Sequence, residues 1–241
     1  MNLGSLRRWL AWLRRTPLHP QWLLDSPQSI ARWAEPSLHG SVLDIGCGDR
    51  WIEPHLANGA FYVGLDSIAT GARLYQSRPS MFGDAPALGI RDGCLDCVLL
   101  LEVLEHLESP RSALREIHRV LRPGGRLLLS MPFLYPIHDA PHDFQRYTTY
   151  GLAREMAAVG LVVRSIVPTR HALEAAGLLG AIACGAVAVA AVERRSPAML
   201  LLPLLVATIP VINCLAWIGA RLLPDWSALT SGYRVIAEKP Q

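Results

Sequence analysis

Two groups of residues carry types and spacings suited to chemistry. The first is an acid–glycine loop, Asp44-Ile45-Gly46-Cys47-Gly48, followed by Asp49, Arg50 and Trp51. Glycines two apart after an apolar run let the backbone approach a ligand closely. A dinucleotide loop would carry a third glycine where Trp51 stands, and Asp44 and Asp49 would repel a diphosphate. The loop therefore suits a ligand with positive charge and no phosphate.

S-adenosylmethionine meets both conditions, with its sulfonium and α-ammonium groups. The second group is split along the chain. Glu102, Glu105 and His106 form E-x-x-E-H, and Met131–Thr148 holds His138, Asp139, His142, Asp143, Arg146 and Tyr147. Histidine titrates near neutrality and is the natural base for a protonated acceptor hydroxyl. His106 and His142, with Tyr147, are thus the candidate catalytic residues. His138, Asp143 and Arg146 are candidate acceptor contacts, Arg146 pairing an acidic group. A self-bonded loop in which Asp143 and Arg146 neutralise each other is the alternative. The four-residue spacing of His138 and His142 would suit a metal on a helix, but Pro141 disfavours that helix.

These residues need a scaffold. Ser41–Ile45 and Phe61–Leu65 read as short strands, Ser80–Gly83 as a shorter one, and Leu95–Leu101 as a strand buried on both faces. Ser109-Pro110 is a helix start, Leu114, Ile117, Val120 and Leu121 its apolar stripe, and Pro123-Gly124-Gly125 its stop. Arg126–Met131, a helix over Thr149–Val159 and strands at Leu161–Val167 and Gly232–Glu238 complete the pattern. Strands alternating with helices predict a doubly wound α/β sheet.

Residues 172–223 break that rhythm. Ala175–Val192 is uncharged and rich in small residues, and a second uncharged run reaches Ala220 after Glu193-Arg194-Arg195-Ser196-Pro197. The segment reads as an apolar helical hairpin inserted between the last two strands. Its length suits a bilayer. Arg194 and Arg195 at the turn, and Pro203 and Pro210 in the second run, favour shallow or re-entrant insertion over full crossing. A hairpin covering the sheet or making a dimer interface is the alternative. At the N-terminus Leu6, Trp9, Leu10 and Leu13 share one helical face among four arginines, which suits packing on the domain or a membrane surface.

At 241 residues and a net charge of +3, the chain can bury a full core and shows no global attraction to nucleic acid. Five unevenly spaced cysteines argue against a secreted disulfide framework. Cys94-x-x-Cys97 lacks a second pair to complete a zinc site, and Cys97 lies within an apolar strand.

The motifs together resemble the class I S-adenosylmethionine-dependent methyltransferases of the type 11 branch. They are Asp44–Gly48, GLD at Gly64–Asp66, GDA at Gly83–Ala85, LDCVLLLEVLEHL at Leu95–Leu107 and RPGG at Arg122–Gly125. The resemblance covers residues 41–168 and the last strand. It implies a Rossmann-like seven-stranded sheet with the last strand antiparallel. It also implies roles: Gly46 and Gly48, with Asp44, at the methionine part of the cofactor; Asp66 on the ribose; Asp84 on the adenine amino group with Ala85 beside the ring; Leu101 and Glu102 on the pocket floor. Many relatives have a third glycine where this chain has Arg50. In some quinone-pathway O-methyltransferases E-x-x-E-H binds a divalent metal; metal-free relatives share E-H, and no metal ligand is assigned here. The stretch His142–Thr148 is similar to one in methyltransferases linked to glycan and lipid-conjugate modification.

The expected organisation is a helical segment over 1–36, a cofactor-binding domain over 37–170 and 230–241, and the hairpin over 171–229. The expected activity is O-methylation of a lipid-like, quinone-like or glycan-linked acceptor, in the cytoplasm at the membrane face, with membrane contact through 175–222 and a possible second copy as partner. A non-catalytic cofactor-binding or membrane-adaptor protein, or an NAD(P)-dependent oxidoreductase, are the competing readings.

Overall fold

The computed structural model describes residues 12–69, 71 and 78–241. Leu6, Trp9 and Leu10, with Arg7 and Arg8, lie outside the described residues; Leu13 is inside them. The strands are β1 (Ser41–Ile45), β2 (Phe61–Asp66), β3 (Met81–Phe82), β4 (Leu95–Leu101), β5 (Leu121–Pro132), β6 (Val162–Pro168) and β7 (Gly232–Glu238). The α-helices are α1 (Pro27–Ala34), α2 (Pro110–Val120), α3 (Thr149–Ala158), α4 (Ala172–Glu193) and α5 (Leu202–Leu222).

All seven strands share one sheet, ordered β3-β2-β1-β4-β5-β7-β6. β1, β2, β3, β4 and β5 run parallel, and β7 is antiparallel to β5. The central strands are predominantly apolar because both faces are covered, with Asp44 and Ser130 as buried polar exceptions. Alternation assigns each residue its layer: Leu43 and Ile45 of β1, Val98 and Leu100 of β4, and Leu127 and Leu129 of β5 join one core with α2 and α3. Val42, Cys97, Leu99 and Leu128 face the opposite core with Ala31 and Ala34 of α1.

The order reversal lies between β1 and β4, whose C-terminal ends carry Ile45 and Leu101. Open α/β sheets bind ligands at such a switch point. Here it brings the Asp44–Gly48 loop and the Glu102–His106 segment to one sheet edge.

The helix starts differ in chemistry. Thr148 caps α3, its hydroxyl accepting from the Gly151 amide at 3.1 Å. Ser109 occupies the N-cap of α2 but its side chain makes no capping bond, leaving Pro110 to set the first turn. The sequence-predicted stop at Pro123-Gly124-Gly125 is instead part of β5. Two steps along β4, Leu95 to Cys97, match five along β5, Leu121 to Arg126, so the segment bulges, with Gly124 at φ +77°. The sole lysine, Lys239, donates to the Leu121 carbonyl at 2.8 Å and so helps close the C-terminus of α2.

The chain divides into two compact units. One comprises residues up to Asp25, Leu134–Pro136 and Pro168–Ser231; the other comprises Ser26–Phe133, Ile137–Val167 and Gly232–Gln241 and holds the sheet. In the first unit α4 and α5 pack on each other, and their buried residues are mostly small, Gly177, Ala181, Ala188, Ala191 and Ala216 among them. A Cβ on Gly177 would lie 2.5 Å from that of Ala216, so the helices need glycine there. Of the expected break or kink at the two prolines in the second run, the break does not occur. Pro203 falls in the first turn of α5, where its missing N–H is not needed, and Pro210 sits within a helix that continues past it.

Candidate active site

The glycine loop is built by the end of β1 folding back on β2. Gly46 and Cys47 amides donate to the Leu65 carbonyl at 2.8 and 3.1 Å, and the Gly48 amide donates to Asp66 Oδ2 at 3.2 Å. Gly46 takes φ +74°, and a Cβ there would lie 2.4 Å from Val103 Cγ2. Gly48, at φ +53°, has open space where its Cβ would be. Glycine is thus demanded by backbone and packing at Gly46, and by backbone with free room for a ligand at Gly48.

Asp44 and Asp66 are both buried, whereas Asp49 is exposed. Asp44 accepts from the Tyr62 hydroxyl at 2.7 Å, and burial, assisted by Asp66, pushes its carboxyl up to about 6 against the Tyr62 bond. Asp66 also accepts from the Ser67 amide at 2.9 Å through Oδ1. A carboxylate can accept about four bonds, which leaves acceptor capacity for ribose hydroxyls. Arg50 occupies the left-handed region at φ +62°. Its guanidinium chelates Glu53 at 2.8 and 2.9 Å and lies 5.1 Å from the Tyr62 ring centroid. The residue that departs from the glycine of many relatives therefore braces the ring that bonds Asp44.

Beyond Asp66, Ile68, Ala69, Phe82, Gly83 and Asp84 line a cavity of about 280 Å³. Apolar side chains with one exposed carboxylate at the rim suit a purine carrying an amino group. Ala85 is buried in the core and is not among the lining residues. Sequence reasoning missed Ile68, Ala69 and Phe82. Their one signal is position, directly after the β2 acid and directly before Gly83-Asp84. The donor set fits S-adenosylmethionine: two glycines in left-handed backbone, buried acids behind them and an apolar slot beyond. Leu101 ends β4, and Glu102 follows at φ +56° with its amide bonded to the Ser130 carbonyl at 2.9 Å. Cys47 is buried, and burial pushes its thiol up to about 12, consistent with packing rather than redox chemistry.

The two polar segments that lie far apart in sequence form one cluster. Gln145 Nε2 donates to the Leu104 and Leu107 carbonyls at 2.6 and 2.9 Å, and the Phe144 amide donates to the Glu105 carbonyl at 2.9 Å. These bonds dock the 138–147 loop onto the turn that carries Glu105 and His106. His106 Nδ1 lies 2.6 Å from the His142 carbonyl oxygen, a distance that fits Nδ1–H as donor. The His106 and His138 rings meet edge to face at 4.8 Å between centroids.

Asp143 and Arg146 bond each other, with Nη2 2.8 Å from Oδ2 and a second close contact from Nη1 to Oδ1. Arg146 holds the Asp143 carboxyl well below the usual carboxylate range. Asp143 Oδ2 also accepts from the His138 amide at 3.0 Å, while Arg146 Nε is buried without a hydrogen-bond partner. His142 contributes its backbone carbonyl, and its ring packs near Phe144. Tyr147 stands apart: it packs against the main core beside Gly151, and burial, then Glu155, raises its hydroxyl. Burial lowers His106, so its ring favours the neutral form.

Comparison with known proteins follows the same boundaries. Residues 43–129 match the family model described as a methyltransferase domain. A 37.1 kDa protein of transposon TN4556 from Streptomyces fradiae is 31% identical over 152 residues, covering 54% of this chain and 44% of that protein. The ubiquinone biosynthesis O-methyltransferase of Pseudomonas paraeruginosa is 34% identical over 100 residues, covering 37% of this chain and 43% of its own length. The chain thus spans less than half the length of these curated relatives. A SAM dependent methyltransferase from Archaeoglobus fulgidus superposes with a TM-score of 0.56 over 96% of this chain and 99% of that one, at 16% identity, a likeness of fold.

Proposed function

Because the chain carries a class I S-adenosylmethionine-dependent methyltransferase domain, we propose that it methylates a hydroxyl on a lipid-like, quinone-like or glycan-conjugate acceptor at a membrane. The observation that carries this reading is the single cluster of His106 and His138 at the sheet edge that also holds the cofactor loop. The cofactor supplies a methyl group on a cationic sulfur. Everything else falls to the chain's own residues. Gly46 and Gly48 give the methionine part close backbone contact, Asp66 accepts from the ribose, and Asp84 accepts from the adenine amino group. Leu101 and Glu102 border the space between cofactor and acceptor.

Rate in such a transfer comes chiefly from aligning the acceptor oxygen with the methyl carbon. The histidine cluster offers the polar end of the acceptor a neutral imidazole, and Ile137 and Phe144, 82% and 45% exposed, offer apolar surface to its body. His142 and Tyr147 contribute to holding the loop and its docking helix rather than to proton transfer. Asp143, held by Arg146, orients His138.

The membrane part of the proposal rests on the packing of the first unit. Its helices, over Ala172–Glu193 and Pro197–Leu222, are long and apolar enough to cross a membrane. Their polarity is inverted relative to a water-soluble helix pair: small residues make the seam and large apolar ones face outward. Leu204, Val211, Leu215, Ile218 and Leu222 form one exposed stripe along α5. Water would drive such a stripe inward, and lipid would not. Arg221 stacks on Trp217 at 3.6 Å, as suits an interface. Pro20 lies against Gly185 and Leu23 against Gly177, and Asn213 Nδ2 donates to the Pro17 and His19 carbonyls at 2.7 and 3.0 Å. An N-terminal segment carrying His19 and Gln21 therefore runs beside the hairpin, which favours partial over complete insertion and a cytoplasmic-face location.

Calorimetry with S-adenosylhomocysteine tests the cofactor half: wild type binds, and Asp66→Ala loses most of the affinity. A radiolabelled methyl-transfer assay on lipid and glycan extracts identifies the acceptor class. No binding of S-adenosylhomocysteine by wild type would end the reading.

A further inference from the structure

We propose that Glu105, His106 and His138 form a binding site for a divalent first-row transition metal. The inference rests on the acceptor-site reading above and deepens it. One ligand atom from each residue lies within 4.8 Å of the others, two imidazole nitrogens and one carboxylate oxygen. His106 Nε2 is 3.7 Å and His138 Nε2 is 3.9 Å from Glu105 Oε1.

The surroundings of these residues point to a cation site rather than to a chance cluster. Glu105 is fully buried, and neither of its carboxylate oxygens has a hydrogen-bond partner. A buried carboxylate without donors is costly unless a cation completes it. Both histidines have the other ring nitrogen engaged: His106 Nδ1 with the His142 carbonyl at 2.6 Å, and His138 Nδ1 with Asp143 Oδ2 at 3.2 Å. Each bond fixes the tautomer with Nδ1–H as donor, so each Nε2 lone pair is directed at the Glu105 side. Carboxylate and carbonyl partners of this kind orient metal-ligating histidines. Asp143 is in turn held by Arg146.

The set is assembled by the fold and does not coincide with Glu102-x-x-Glu105-His106. Its third ligand, His138, comes from a loop 32 residues further along the chain than His106, and Glu102 is not a member of the group. Asp139 Oδ2, 3.9 Å from His106 Nε2, is within reach as a further oxygen donor. Two imidazoles and a carboxylate favour Zn²⁺, Mn²⁺ or Fe²⁺ over Mg²⁺ or Ca²⁺, which prefer all-oxygen shells. Such a cation, with open coordination positions, would orient an acceptor hydroxyl and ease loss of its proton.

The test uses the full chain, stripped with a chelator and titrated with Zn²⁺ against a chromophoric competitor, with bound metal counted by elemental analysis. Wild type is expected to take up one Zn²⁺ per chain. His138→Ala and Glu105→Gln should each weaken it at least ~100-fold, and Asp143→Asn ~10-fold through His138. Glu102→Gln should stay within ~3-fold, a change of under 1 kcal/mol. Retained S-adenosylhomocysteine binding by His138→Ala shows that the variant is folded, and it reads the methyltransferase proposal separately. Wild type binding Zn²⁺ no better than His138→Ala, or Glu102→Gln losing as much as Glu105→Gln, would overturn the assignment.

Discussion

Asp44→Asn should make the cofactor-free protein more stable while weakening its hold on the cofactor. The wild-type carboxyl is buried beside Asp66 and accepts from the Tyr62 hydroxyl, and burial pushes it up from 3.8 to about 6. Its folded-state value is raised, so its contribution favours the fold below the unfolded value and is lost as pH rises through about 6. At pH 7 the ionised group therefore costs the folded state up to ~3 kcal/mol, falling to ~1 kcal/mol at pH 4.5, from 1.36 kcal/mol per unit. Asparagine removes the titration and can still accept from Tyr62. Its amide donors trim the gain, so the change with pH is the decisive quantity. Urea unfolding at pH 7 and pH 4.5 should show an advantage for Asp44→Asn that shrinks by ~2 kcal/mol on acidification. In parallel, calorimetry at pH 8 should show S-adenosylhomocysteine bound ~10-fold more weakly by the variant, with the two proteins converging at pH 5 as wild-type Asp44 protonates. An advantage equal at both pH values would refute burial of charge as its cause. Equal affinity at pH 8 would remove Asp44 from the cofactor site.

Gly46→Ala should destabilise the fold by ~1–3 kcal/mol in thermal unfolding, since φ +74° and the Val103 methyl at 2.4 Å act against the same Cβ. Asp66→Ala should weaken S-adenosylhomocysteine binding ~10–100-fold by calorimetry, because it also frees the Gly48 amide. Arg50→Gly should change stability by less than ~1 kcal/mol, relief of left-handed backbone offsetting a half-exposed Glu53 pair. Wild type should co-sediment with phospholipid vesicles, whereas Leu215→Glu, on the exposed stripe of α5, should lower the bound fraction several-fold; unchanged sedimentation would argue that the stripe does not meet lipid.

Much of the scaffold was legible in the residues. Period-two and continuous apolar runs marked β1, β2, β4 and β7 because strands buried on both faces admit few polar side chains, Asp44 and Arg234 among them. The glycine spacing and flanking acids of Asp44–Gly48 pointed to a cationic, phosphate-free ligand through charge alone. The apolar hairpin was visible from composition, and its boundaries from Arg194 and Arg195 at the turn. Pro203 and Pro210 do not end the second helix, since a proline's cost depends on which backbone bond the helix needs at that point.

What no linear reading reaches is the meeting of separate segments. Glu102–His106 and His138–Tyr147 read as two candidate sites, and three docking bonds from Phe144 and Gln145 make them one. Whether Arg146 bonds Asp143 was open in the sequence, and the fold brings the two together. Arg50 had no evident purpose until the fold set it over Tyr62. Residue type and local spacing determine strands, turns and the charge a loop tolerates, because those depend on near neighbours. Ligand geometry, orphaned carboxylates such as Glu105 and the outward face of a helix depend on which distant residues arrive at the same place, and only the tertiary structure decides that.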